Sequence, residues 1–102
     1  MSGGSYWVYI LECTNGSYYT GYTSDLARRY QEHATGTGKC KYTRSFKPLN
    51  LAQAWQVKGT KALAMKIEKY IKSRSKQEKR ELILRPRQLV QLFAGCKLMA
   101  LT

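Results

Sequence analysis

The fold is decided by residues 6–23, which read YWVYILEC (6–13), TNG (14–16) and SYYTGYT (17–23). The first segment is a run of aromatic and β-branched residues, and such a run predicts a strand that is buried on both faces. The Asn15-Gly16 pair is a strong turn signal, and the segment rich in Tyr and Thr after it predicts a second strand. The chain therefore opens with a predicted β-hairpin.

The length of the hairpin loop decides whether Tyr9 and Tyr19 share a face. With a two-residue turn at Asn15-Gly16, paired residue numbers sum to 31 and the two tyrosines lie on opposite faces, because side chains alternate along a strand. With a three-residue loop that begins at Thr14, the sum is 30 and both tyrosines lie on one face. A bulge has the same effect. A shared tyrosine site therefore predicts an odd loop or a bulge here.

The rest of the chain predicts one further strand and four helices. Ser24 or Asp25 caps the first helix, and a loop of about a dozen residues then precedes the third strand. Thr60 and a capping box that begins at Ser75 start two more helices, and Pro86 suits the first position of a short last one. The expected ranges are helix 25–34, strand 49–57, and helices 61–74, 75–85 and 86–102.

The order β-β-α-β-α-α-α predicts the α+β class, with a small three-stranded antiparallel sheet flanked by helices. The 102 residues are expected to form a single domain, because a chain of this length buries enough surface for one core. Residues 86–102 are expected to form a C-terminal helical extension of that domain.

The chain is strongly basic, with 18 Lys and Arg against 6 Asp and Glu and a formal net charge of +12. Such an excess indicates a polyanionic partner, because each cation that meets a nucleic-acid phosphate releases a condensed counterion. The net charge is +3 before Lys58 and +9 from Lys58 onward, so the second half is the expected contact surface. The alternatives are a structural protein bound to ribosomal RNA and a membrane-surface protein.

The cysteines indicate a reducing compartment and argue against a structural zinc site, and the apolar segments argue against a membrane span. Cys13, Cys40 and Cys96 are odd in number and show no paired spacing, and with a single histidine the chain lacks the ligands for a structural zinc site. The cytoplasm is therefore the expected compartment. The longest apolar stretch, residues 89–101, is too short and too polar to span a bilayer, so no membrane partner is expected.

Six acids are available for chemistry. Five are explained as a strand end, helix caps or helix-surface residues: Glu12, Asp25, Glu32, Glu78 and Glu81. Glu68 differs, because it lies in mid-helix at the edge of an apolar stripe that includes Ile67 and Ile71, from which it can point into a cleft. It is equally placed for an ordinary ion pair with Lys72 four residues on, and the helix by itself favours that interpretation.

The two arginines of the first predicted helix point in different directions. Leu26 and Tyr30 define its buried face, and Arg29 and His33, four residues apart, lie beside that face. Arg28 points about 160° away from Leu26, into solvent. A lone His beside an apolar face is more often a satisfied core residue than a functional one, but its spacing from Arg29 favours a shared site.

These residues resemble the GIY-YIG nuclease family, and most of all its small standalone bacterial branch, often called YhbQ-like. The first signature triplet appears as Trp7-Val8-Tyr9, with only the Tyr kept, and the second as Tyr19-Thr20-Gly21, with Tyr and Gly kept. The resemblance covers about residues 6–83. Its other ordered motifs are residues 23–33, Gly36-Thr-Gly38, residues 41–44, and Ala64, Glu68 and Lys72 at four-residue spacing.

The resemblance implies a metal-dependent endonuclease that hydrolyses phosphodiester bonds in DNA, with one divalent cation, Mg²⁺ or Mn²⁺. It implies a role in DNA repair, recombination or processing. Little sequence specificity is expected, because the sequence shows no second DNA-recognition domain. By the same resemblance Glu68 is the metal ligand, Arg29 stabilises phosphate charge, Tyr9 and Tyr19 line the water and phosphate, and His33 assists proton transfer or orientation. Expected nucleic-acid contacts are Lys41, Tyr42, Arg44, Lys72 and Lys76. The alternative is a basic nucleic-acid-binding module without catalysis.

Overall fold

Residues 5–35 and 48–98 are described by a computed structural model of the chain, and within these ranges they form four strands and four helices. In chain order these are β1 (Ser5–Cys13), β2 (Tyr18–Thr23), α1 (Leu26–Thr35), β3 (Pro48–Lys58), α2 (Lys61–Lys72), α3 (Lys76–Leu84), α4 (Arg87–Leu92) and β4 (Cys96–Leu98). The strands form one antiparallel sheet in the order β2-β1-β3-β4. The predicted α+β class and the antiparallel sheet flanked by helices are confirmed.

The sheet has one strand more than the three predicted. Arg87–Leu92 is a helix, but the predicted helix is wrong for Cys96–Leu98, which pair with β3 as a short edge strand. The chain reverses at Gly95, whose φ of 86° is a left-handed conformation that favours glycine. The Gly95 carbonyl accepts a hydrogen bond from Lys58 N–H at 2.9 Å, which begins the pairing of the two strands.

The hairpin has the register that places Tyr9 and Tyr19 on one face. Tyr9 pairs with Gly21, and Leu11 pairs with Tyr19, so paired residue numbers sum to 30. The prediction of an odd loop is confirmed, and the shared tyrosine site that depended on it is sterically available.

The loop itself is the three-residue type. Cys13 N–H donates to the Ser17 carbonyl at 2.9 Å, and Gly16 N–H donates to the Cys13 carbonyl at 2.9 Å. Gly16 has a φ of 80°, the left-handed position that closes such a loop. Asn15 Oδ1 also accepts from Ser17 N–H at 3.2 Å, which stabilises the turn.

Helices cover both faces of the sheet, and each face has its own apolar cluster. On the α1 side the buried residues are Tyr9, Leu11 and Ala54, against which Tyr19, Leu26, Tyr30 and Leu51 pack. On the side of α2, α3 and α4 the buried residues are Val8, Ile10, Trp55, Val57, Ala64, Ile67, Ile71, Leu82, Leu89 and Cys96. The central strand β1 is therefore buried on both faces, as predicted, and β2 beside it is an edge strand.

The predicted helix caps at Thr60, Ser75 and Asp25 are confirmed, whereas Pro86, predicted at the first position of the last helix, is its N-cap residue. Thr60 accepts from Leu63 N–H at 3.2 Å, and Ser75 and Glu78 form the reciprocal capping box. Asp25 Oδ1 accepts from Arg28 N–H at 3.1 Å at the start of α1. These bonds satisfy amide groups that a helix start leaves without an internal partner. Of the helices in the described part of the chain, none has the length and apolarity needed to cross a membrane.

Candidate active site

A cavity of about 480 Å³ opens beside the edge strand β2. The α1 side of the sheet contributes Tyr9, Tyr19, Gly21, Thr23, Arg28, Arg29 and Glu32, and the α2 side contributes Tyr6, Tyr22, Lys61 and Glu68. Four of the five side chains expected from the sequence to form one site therefore line one cavity: Tyr9, Tyr19, Arg29 and Glu68.

The edge position of β2 explains how residues from opposite faces meet. Tyr19 projects from β2 toward α1. Tyr18 and Tyr22 of the same strand pack on the apolar cluster of the α2 side, because side chains alternate along the strand. Helix α2 packs against β1 and β2 on that opposite face. Since no further strand pairs with the outer side of β2 in the described sheet, side chains from α1 and α2 meet around it.

Tyr9 and His33 form a buried hydrogen-bonded pair. The Tyr9 hydroxyl lies 2.8 Å from His33 Nε2, and the two side chains are 1% and 0% exposed. The His33 ring also makes an edge contact with Tyr19, with ring centroids 5.0 Å apart. His33 therefore lies behind the two tyrosines rather than in the cavity wall, so it is a satisfied core residue and also a partner of the proposed site.

The surroundings of His33 keep its imidazole neutral. Burial, and next the positive charge of Arg29, lower the pKa of His33 to about 4, while the charge of Glu32 opposes the shift. At neutral pH the ring therefore carries one N–H and one acceptor nitrogen.

Gly21 makes room for Tyr9. A Cβ on Gly21 would lie 2.5 Å from the Tyr9 hydroxyl oxygen and 2.7 Å from the ring carbon that carries it. Because Tyr9 is enclosed by Tyr19 and His33, its ring has little space in which to move away. Gly21 thus leaves the space that the Tyr9 ring occupies.

Arg29 and Glu32 form an ion pair in the cavity wall. Arg29 Nη1 donates to Glu32 Oε1 at 3.0 Å, and the two side chains are 26% and 27% exposed. Arg28 is 70% exposed, as its predicted direction into solvent requires, although it also borders the cavity. Glu32, expected among the helix-surface residues, is partly exposed on α1 and also lines the cavity. Its spacing of three residues from Arg29 was the signal that pointed there.

Glu68 satisfies both interpretations of its position in the helix. Its side chain is 18% exposed and lines the cavity, and Lys72 Nζ lies 3.7 Å from its Oε1. Glu68 also borders a shallow groove on the outer side of α2 together with Met65, Lys66, Lys69 and Lys72. The ion pair and the position at the cavity are therefore compatible, because Lys72 approaches from the groove.

The donor set of the cavity fits a hard divalent cation that takes one protein carboxylate. Within residues 5–35 and 48–98 no group of three or more His, Cys, Asp or Glu is arranged to hold a metal ion. Mg²⁺ does not require such a group, because it commonly keeps several waters and is held by one or two carboxylates together with substrate phosphates. The Glu68 carboxylate, lining a polar cavity, meets this requirement.

The expected nucleic-acid contacts are only partly described. Lys41, Tyr42 and Arg44 lie outside the described residues. Lys72 lies beside Glu68, with a side chain that is 52% exposed. Lys76 lies by the hairpin turn instead, where its Nζ is 3.9 Å from the position that a Cβ would take on Gly16.

A cavity that gathers an arginine, tyrosines and a glutamate suits phosphodiester chemistry, because a guanidinium binds phosphate oxygens and a carboxylate binds Mg²⁺. A family model described as the GIY-YIG catalytic domain matches residues 5–81. The chain belongs to this family of nuclease domains.

Curated relatives extend the match to most of the chain. The UPF0213 protein H16_B0156 of Cupriavidus necator is 48% identical over 81 residues, which cover 78% of this chain and 86% of the relative. The UPF0213 protein BH0048 of Halalkalibacterium halodurans is 44% identical over 79 residues, which cover 78% of this chain and 82% of the relative. These names state no activity.

A solved structure supports the fold. The solution NMR structure of the UPF0213 protein BH0048 from Bacillus halodurans has a TM-score of 0.51 and 38% identity, and the match covers 89% of this chain and 98% of that one. The predicted resemblance to the family and to its small standalone branch is thus confirmed.

Proposed function

We propose that the protein is a metal-dependent endonuclease that hydrolyses phosphodiester bonds in DNA with little sequence specificity. The observation that supports this function is the convergence of Tyr9, Tyr19, Arg29 and Glu68 on one cavity at the β2 edge. The proposed setting is the cytoplasm, in DNA repair, recombination or processing. Cys13 and Cys96 are buried and free of disulfides, which suits a reducing compartment.

Arg29 binds the non-bridging oxygens of the scissile phosphate. Its guanidinium is permanently charged and planar, so it can offer two parallel N–H donors to a phosphate. Negative charge on these oxygens increases as the attacking oxygen approaches, and a preorganised donor then stabilises the transition state more than the ground state.

Glu68 holds the divalent cation, Mg²⁺ or Mn²⁺. When bound, the cation neutralises charge on the phosphate and on the leaving oxygen. Lys72, with its Nζ 3.7 Å from the Glu68 carboxylate on the groove side of α2, adds positive charge for the DNA backbone. DNA contacts are also assigned to Lys41, Tyr42, Arg44 and Lys76.

Tyr19 orients and activates the attacking water, and Tyr9 is held in place by His33. Tyr9 is 1% exposed and its hydroxyl is engaged by His33, whereas Tyr19 is half-buried on the edge strand and more open to water. The Tyr19 hydroxyl can accept a hydrogen bond from the water, and Arg29, which binds the phosphate, lines the same cavity.

His33 orients Tyr9 rather than taking up the proton. Its pKa of about 4 lies well below neutral pH. Protonating a group three pKa units below the ambient pH costs about 4 kcal/mol. A neutral imidazole can accept the Tyr9 O–H through Nε2 without that cost.

A cleavage panel tests this function. Purified protein is incubated with single-stranded, duplex and branched DNA in Mg²⁺, in Mn²⁺ or in EDTA. Glu68→Gln, Arg29→Lys and Tyr19→Phe are each expected to lower kcat by about 10²-fold or more, because each removes a positioned charge or donor. EDTA is expected to abolish cleavage.

Two variants provide matched controls for the panel. Glu81→Gln removes a helix carboxylate away from the cavity, and Tyr18→Phe removes a hydroxyl on the other face of β2. Both are expected to cleave like the unchanged protein. Cleavage that survives all three site substitutions contradicts the proposed site, and DNA binding without cleavage on every substrate indicates a non-catalytic binding module.

A further inference from the structure

We infer that Glu32 is a positioning residue whose carboxylate orients the Arg29 guanidinium toward the bound phosphate; this inference rests on the proposed function. Glu32 Oε1 accepts a hydrogen bond from Arg29 Nη1 at 3.0 Å. Both residues line the cavity, and both lie on α1, three residues apart. A guanidinium is planar, so a bond to one of its nitrogens limits the direction in which its other N–H groups point.

Glu32 pairs with Arg29 much more closely than with Arg28. The Arg28 contact is longer, at 4.0 Å, and its side chain is 70% exposed, whereas the Arg29 side chain is 26% exposed. An ion pair open to water contributes little order, but a shorter, partly buried, charge-assisted hydrogen bond holds its partners more firmly. The carboxylate therefore acts mainly on the arginine of the cavity.

The charge of Glu32 is unfavourable for simple substrate binding. A carboxylate in a cavity that receives a phosphodiester repels the substrate and offsets part of the Arg29 charge. The charges of Arg29 and Glu32 also act on His33, the partner of Tyr9. Arg29 lowers the pKa of His33 and Glu32 raises it. By weakening the binding of the substrate ground state, Glu32 raises KM. By fixing the direction of the Arg29 donor, it lowers the barrier for the chemical step and raises kcat. Removal of Glu32 should therefore affect kcat and KM in different ways.

Kinetics of Glu32→Ala and Glu32→Gln test the inference. Glu32→Ala removes the acceptor and should lower kcat about 10- to 100-fold, because a misdirected donor loses much of its catalytic effect. The KM for DNA should stay the same or fall, since a repelling charge is gone. Glu32→Gln keeps an acceptor oxygen and should recover part of the kcat. Glu81→Gln changes the net charge equally and should match the unchanged protein in both constants.

A purely helix-stabilising role for Glu32 gives a different result. It predicts a small change in thermal stability, with the kcat of the folded fraction unchanged in both Glu32 variants. Circular dichroism melts of each variant establish the folded fraction at the assay temperature. An unchanged kcat in Glu32→Ala, or a KM that rises while kcat stays constant, overturns the inference and leaves the proposed nuclease function standing.

A second measurement does not depend on cleavage. The ¹⁵N relaxation of the Arg29 Nε–H group, assigned with Arg29→Lys, should show an ordered side chain in the unchanged protein and a motionally averaged one in Glu32→Ala. Equal order in both overturns the inference. If the protein cleaves no DNA but Arg29 loses order in Glu32→Ala, the proposed function fails while the positioning contact stands.

Discussion

At the residue scale the site depends on one buried imidazole. His33 is the only histidine in the chain, is fully buried, and accepts or donates one hydrogen bond with Tyr9. Burial and the Arg29 charge disfavour its protonated form, which is why its pKa falls to about 4. The same environment that holds Tyr9 in place therefore couples the stability of the fold to pH.

Acidification should destabilise the protein through His33. The folded-state pKa of about 4 lies below the unfolded value of 6.5, so the unfolded chain binds the proton more tightly. The stability from the neutral ring is complete above pH 6.5 and is lost as the pH falls from 6.5 toward 4. Urea unfolding should show a loss of about 2 kcal/mol between pH 7 and pH 5.

His33→Gln is the control for this pH dependence. Its side chain can still accept a hydrogen bond from the Tyr9 hydroxyl, but it does not titrate. The stability of this variant should be nearly independent of pH between 7 and 5. If the unchanged protein and His33→Gln lose stability equally over that window, the loss comes from other groups.

At the element scale the hairpin loop determines which face carries the tyrosines. Three loop residues, with Gly16 in the left-handed conformation, give the register in which Tyr9 pairs with Gly21. A loop shorter by one residue would reverse the face of every following β2 side chain relative to β1. Tyr19 would then project toward α2 and away from Arg29.

Gly16→Ala should destabilise the hairpin without changing its register. An alanine at a φ of 80° meets a steric penalty of about 1–2 kcal/mol, and the free energy of unfolding should fall by that amount. Thr14→Ala, at an exposed position in the same loop, should change it by less than about 0.5 kcal/mol. DNA cleavage well below the melting temperature should persist in Gly16→Ala. An unchanged unfolding midpoint would show that the loop does not depend on this conformation.

The two sides of helix α2 likewise face different parts of the molecule. Lys61 and Glu68 are seven residues apart, about 20° around the helix, and both line the cavity. Tyr70 lies about 160° from Glu68 and packs against Phe93 instead, with ring centroids 5.5 Å apart. The packing of Ile67 and Ile71 on the sheet therefore sets the direction of Glu68.

At the scale of the whole molecule, the two edges of the sheet have lysines in different surroundings. The cavity is at the β2 edge, and β4 forms the opposite edge of the described sheet. Lys72 lies in the groove that continues from the cavity along α2, whereas Lys97 is exposed on β4. If DNA follows the groove, these two lysines should contribute differently even though each carries one charge.

The salt dependence of DNA binding distinguishes these two lysines. Binding is measured by fluorescence anisotropy in EDTA, so that no cleavage occurs. Lys72→Gln should reduce the slope of log affinity against log salt by about 0.9 for duplex DNA, the value for one phosphate contact. Lys97→Gln, with the same net charge, should leave the slope nearly unchanged. Equal changes in both variants would place the contact surface elsewhere.

Much of the fold follows from local signals. The hairpin, the helix caps at Thr60 and Ser75, and the direction of Arg28 were predictable because each depends on residues close together in the chain. The strand Cys96–Leu98 was not predictable, because three residues are too few to show an alternating pattern and the strand forms only by pairing with β3.

The sequence by itself determined the antiparallel hairpin, the placement of Tyr9 and Tyr19 on one face once the loop has three residues, and the spacing that brings Arg29 beside them. Only the tertiary structure decided that Glu68 meets these residues. The physical reason is that the acid on α2 and the residues of α1 lie on opposite faces of the sheet. They share a cavity only because β2 is an edge strand of the described sheet, so that side chains from both faces can meet beside it.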